Sequence, residues 1–159
     1  MAAATEDRLD VFVNQPPATL IHQPLMANTD DVFYESTLAE LNAAGDQASP
    51  LTHSDGDDDS GVVVLANLQH QDDEAFTGNV QRDRAGTDPR VKLHSGAIIE
   101  FEIADSIGNY SAFDTVYGVD NQTVNASQGD GSGGSYPEVG RVYMVESSTV
   151  KVFVPGLLG

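Results

Sequence analysis

The chain has 159 residues, no Cys, and 25 acidic against 7 basic side chains, a formal charge of −18. Without Cys there are no disulfides, thiolate metal sites, iron–sulfur clusters or thiol nucleophiles. No apolar run approaches the ~20 residues of a membrane-spanning helix, and seven cations cannot neutralise phosphates in number, so neither membrane nor nucleic acid is an expected partner. The length suits one domain, since domains cluster near ~100–150 residues. Asp outnumbers Glu by 17 to 8, and the only lysines are Lys92 and Lys151. Such a surface repels itself in dilute salt. In molar salt, where the Debye length falls to ~3 Å, that repulsion is screened. The composition therefore reads as that of a salt-adapted protein.

In chain order, residues 9–13 (LDVFV) alternate apolar and polar and read as a short strand, stopped by Pro16 and Pro17. Residues 19–21 form another extended piece, closed by Pro24. Three prolines this close together suit an extended arm better than a helix or central strand. Residues 37–44 carry the one expected helix. Thr37, Leu38, Ala39 and Glu40 fit a capping box, Gly45 stands where a left-handed residue would end the helix, and Leu38 and Leu41 would pack it down.

Residues 45–60 (GDQASPLTHSDGDDDS) form a polar loop. Its Asp55, Asp57, Asp58 and Asp59 are the best ion-binding candidates, because clustered carboxylates offer the hard oxygen ligands that Ca²⁺ or Mg²⁺ takes. The spacing is not that of an EF-hand, and a solvated acidic loop is the competing reading. No other cofactor is expected.

From Gly61 onward the pattern turns to β. Residues 62–65 (VVVL) look buried on both faces, and Phe76 and Val80 are weaker strand marks. Residues 81–90 make a charged loop holding Arg82, Arg84 and Arg90. Residues 98–103 (IIEFEI) end in apolar–acidic alternation, and residues 116–119 and 122–124 flank a turn at Asp120 and Asn121. Residues 129–135 (GDGSGGS) are a flexible loop. Residues 139–145 and 149–154, joined at 146–148, predict a β-hairpin. The expected fold is mainly β: a small antiparallel β-barrel or sandwich over residues 61–159. Before it come residues 1–60, an extended arm with the short helix at 37–44 and the acidic loop.

No catalytic residue stands out, and the chain does not read as an enzyme. His22, His53, His70 and His94 have no metal-ligand spacing, and no nucleophile elbow, P-loop or dinucleotide fingerprint occurs. The N-x-[ST] sequons at Asn109, Asn121 and Asn125 read as chance, since they would carry sugars only in an exported chain and no segment reads as a signal peptide. Assembly is better marked. An isolated arm cannot offset its own ordering entropy, so Val11, Phe12, Val13, Leu20, Ile21, Leu25 and Met26 must order on something: a neighbour, another subunit, or their own domain. Leu157 and Leu158 pose the same alternative. Arg82, Arg84 and Arg90 could pair with acidic neighbours, or locally with Asp83 and Asp88.

Residues 110–156 resemble the small β-barrel of head-decoration, or capsid-stabilising, proteins of tailed viruses. The resemblance lies in Asp114, Val116, Tyr117, Asp120 and Val124, in Gly140 and Val142, and in the Val150, Val152, Val154 alternation. The sequence departs from the pattern at Phe113, where Gly commonly precedes the Asp. The resemblance implies a non-enzymatic virion protein on the outer capsid surface, assembled in the host cytoplasm. Its implied partners are itself, as a homotrimer, and the major capsid protein, reached by the N-terminal arm. With the acidic composition, it points to a tailed virus of a haloarchaeon. The alternatives are another virion component (a vertex turret, spike or tail-tube subunit) and a halophilic Ca²⁺- or sugar-binding β module.

Overall fold

The computed structural model describes residues 12–14, 20–21, 25–27, 31, 33–45, 47–68, 81–82 and 89–158. Three short strands come first: β1 (Phe12–Asn14), β2 (Leu20–Ile21) and β3 (Leu25–Ala27). Then follow β4 (Thr37–Leu41), β5 (Gln47–Pro50), β6 (Val63–Asn67), β7 (Gln81–Arg82), β8 (Pro89–Val91) and β9 (His94–Ser95). The last five strands are β10 (Ala97–Ile103), β11 (Thr115–Gly118), β12 (Thr123–Asn125), β13 (Glu138–Val145) and β14 (Thr149–Val154).

These last five close into a barrel in the order β10-β12-β11-β13-β14, with β14 returning to pair with β10. All its pairs are antiparallel except β10 with β12. The expected hairpin is present: Val142 lies opposite Val152 and Val145 opposite Val150, and the turn is held by Glu146 N donating to Thr149 O at 3.0 Å. Alternation does the sorting. Val150, Val152 and Val154 point inward, where they meet Ile99, Phe101, Val116, Val124 and Val142. A second sheet runs β2-β9-β6-β4-β5-β3-β8-β7, antiparallel except between β3 and β5. It draws strands from both sides of residue 60.

The helix expected at 37–44 is a strand. Thr37 Oγ1 donates upstream to Tyr34 O at 2.6 Å instead of capping an amide, and Ser36 sits at φ 59°. From there β4 pairs with β6 along its whole length, Leu38 opposite Ala66 and Leu41 opposite Val63. Leu38 faces the core it shares with Leu51, Val64 and the barrel, whereas Ala39 and Leu41 face a second core with Phe33, Leu65, Val91 and Leu93. Two cores on opposite sides require a period of two, and that burial overrides a short capping signal. Gly45 does need its positive φ, 73°, but in the turn between β4 and β5, where its N–H donates to Asn42 O at 2.9 Å. Residues 62–65 behave as expected: Val64 serves the first core and Leu65 the second. The strand marks at Phe76 and Val80 lie outside the described residues.

Candidate functional site

Two loops meet beside the barrel. Leu51, fully buried in the first core, anchors one end of the loop that follows β5. Backbone bonds then tie this loop to the glycine-rich loop before β13: Asp59 N donates to Ser135 O and Ser135 N to Asp57 O, both at 2.9 Å. The loops approach so closely at Gly134 that a Cβ there would lie 1.9 Å from Asp57 O, so only glycine fits.

Asp130 organises the junction. Its Oδ1 accepts from Ser132 N at 2.7 Å and Gly134 N at 3.0 Å, and its Oδ2 accepts from Gly56 N at 2.8 Å. The same Oδ2 faces His53 Nε2 at 3.1 Å, while His53 Nδ1 faces Asp59 Oδ2 at 2.6 Å. A carboxylate facing each ring nitrogen favours a ring that donates from both, the imidazolium form. Its side chain is 3% exposed and its ring meets Tyr136 edge-on, centroids 4.5 Å apart.

Burial pulls the His53 pKa down, but hydrogen bonds to Asp59 and Asp130 outweigh it and the net shift is upward. The amides of Gly56 and Ser132, with the imidazolium, hold the Asp130 carboxyl well below the usual carboxylate range. Nearby Glu40 is pushed up to about 7, first by burial and then by Asp59 and Asp31, with His53 opposing. Burial, then Asp130 and Asp55, raise the Tyr136 phenol. Chemically this is a clamp: Nδ1 of His53 is held by Asp59 within its own loop, and Nε2 reaches across to Asp130 of the other.

The sequence-predicted residues fare differently. Asp59 joins the clamp, Asp58 Oδ1 accepts from Ser60 N at 3.1 Å, and Asp55 and Asp57 are exposed. Among the described residues no group of three or more His, Asp or Glu side chains is placed to hold a metal ion. The arm's backbone is paired at home: Phe12 and Asn14, with Val13 between them, lie along β10, Leu20 and Ile21 along β9, and Leu25 and Met26 along β8, with Met26 also beside β5. Arg82 lies opposite Pro89, and Arg90 opposite both Gln81 and Met26. Val11, Arg84, His22 and His70 lie outside the described residues. Leu157, 53% exposed, and Leu158 belong to a 3-10 turn at Gly156–Leu158, where Leu157 N donates to Ser95 Oγ at 2.9 Å. Of the sequons, Asn121 is buried, which suits no glycan, and Asn109 is exposed.

Sequence reasoning missed an apolar surface on the barrel wall. Phe113 is 78% exposed, Tyr143 53% and Met144 44%. A β-bulge between Val142 and Met144 turns two successive large residues outward. Phe113 and Tyr143, with Arg141, Val142 and Phe153, border a depression of about 320 Å³. The break in alternation at Val142-Tyr143-Met144 was the available signal. A second groove, about 180 Å³, runs along Val62, Val63, Val139 and Pro155 and includes the exposed Glu138. Among the described residues, Arg141 has no carboxylate within 4.0 Å and Glu138 no cation. Comparison with known protein families, curated proteins and solved structures finds no match.

Proposed function

We propose that this chain is a structural, non-enzymatic virion protein that decorates and stabilises the outer surface of an icosahedral capsid as a trimer, in a virus of a salt-accumulating host. The observation that carries the docking part is the exposed aromatic pair Phe113 and Tyr143, which share one depression on the wall of a closed barrel, with the exposed Met144 next to Tyr143 in the chain. Large apolar side chains gathered in water mark an interaction surface more often than a lone exposed residue does. The capsid setting is supported by the resemblance of residues 110–156 and by the −18 charge, which suits a molar-salt environment. Binding energy would come from apolar burial, with charge screened by salt.

The test is mass by light scattering in about 3 M KCl, where the Debye length is shorter than a side chain, followed by rebinding to capsids stripped of their decoration. A trimer that rebinds supports the reading. A chain that is monomeric and leaves the capsids bare sinks it, and a six-fold ring moves it to a tail component.

A further inference from the structure

We propose that the Phe113–Arg141 surface of one copy seats in the Glu138 groove of a second copy, Arg141 pairing with Glu138 across the contact; this rests on the assembly reading above. Three observations converge. Phe113 has φ 72°, a left-handed backbone that strains a bulky residue and suits glycine. The strain is locked in: Phe113 N donates to Val142 O at 2.8 Å, Ser111 N to Asp114 Oδ2 at 2.8 Å and Val142 N to Asp114 O at 2.9 Å. The fold therefore fixes the backbone that carries a phenyl ring out into water, where its own stability would favour no side chain at all.

The second observation is charge. Arg141 donates to Phe113 O at 3.3 Å and otherwise stands unpaired among the described residues, in a chain with 25 carboxylates. Its complement is a surface both apolar and acidic. The third is that this chain supplies such a surface: the groove of Val62, Val63, Val139 and Pro155, with Glu138 likewise unpaired. Phe113 is the knob and Arg141 the charge; the groove offers the hole and the counter-charge. A guanidinium–carboxylate pair buried by the contact is screened much less than an exposed one, so it keeps its attraction in molar salt. Because each copy carries both surfaces, the contact repeats by symmetry.

The experiment is light scattering and sedimentation of the full chain in about 3 M KCl, for wild type, Phe113→Gly, Arg141→Glu, Glu138→Arg and the double swap of 138 and 141. Each single variant is expected to weaken self-association on the order of tenfold or more, and the double swap to restore it to within roughly threefold. Phe113→Gly relieves the strained φ, so it should melt no lower than wild type and still fail to assemble, which separates docking from folding. Wild-type assembly untouched by all three single variants, or a double swap no better than either single, would overturn this contact and leave the assembly reading standing. A wild-type monomer that rebinds stripped capsids would overturn it too, assigning the surface to the capsid protein. A monomer that binds nothing removes both.

Discussion

Within the barrel, the side chains of Ile99, Phe101, Val150 and Val152 pack in an apolar core; at the loop junction beside it, the Asp130 carboxylate alone accepts four hydrogen bonds. The packing inside the barrel is non-directional and indifferent to pH and charge screening. The junction's cohesion is directional and titratable. In a chain of charge −18 the division makes sense, because the barrel needs no charge to close and the junction uses a rare cation to hold two acidic loops together.

The comparison breaks hardest in the barrel. Phe101→Ala should lower global stability by about 3–5 kcal/mol, read as a drop in the thermal or denaturant midpoint, because the cavity opens between strands that cannot collapse onto it. A smaller loss on that scale would mean that the barrel is less closely packed than its buried faces suggest.

Asp130→Asn should act locally. One acceptor oxygen becomes a donor facing N–H groups, so the amides of Gly56, Ser132 and Gly134 should exchange with solvent on the order of tenfold faster while the β10 amides stay protected. Equal acceleration everywhere would show that clamp and barrel open as one.

The pH response sharpens the difference further. His53 is raised above its ordinary 6.5, so its stabilisation is fully present below 6.5 and is lost as pH rises through the raised value. Glu40, raised from 4.5 to about 7, works the same way: stability declines as pH climbs through that window. Asp130, depressed, has the opposite slope, losing its contribution only as pH falls below 3.8. Stability should therefore peak in mild acid and decline toward alkaline pH. Glu40→Gln, neutral at every pH, should flatten the decline and raise stability at pH 8 by about 1 kcal/mol, modest because Glu40 is only half-buried and water screens it. An unchanged slope in that variant would remove Glu40 from the account.

What could be read in advance follows from how local the signal is. The alternation at 149–154 and the both-face burial of 62–65 are written in consecutive residues, and the structure has them. The strand at β4 was hidden because Thr37, Glu40 and Gly45 mimic helix punctuation, while the partner that makes it a strand, β6, lies more than twenty residues away. The clamp was hidden for the same reason at greater range. His53 and Asp130 are 77 positions apart, and each sat in a segment that looked like an ordinary polar loop. Phe113 was noticed for its identity, but only its positive φ and its exposure reveal that the fold itself has no use for the ring.

The closing of the barrel through β14 also has a consequence for biogenesis. Because β14 is the stave that joins β13 to β10, the cylinder cannot be completed until residue 154 has emerged from the ribosome. Until then β10 offers an open edge with Ile98, Ile99 and Phe101 in water, and an open apolar edge invites pairing with another nascent chain. Synthesis of β14 thus ends this vulnerability of β10 to aggregation, and slow elongation between β10 and β14 would keep that edge exposed for longer.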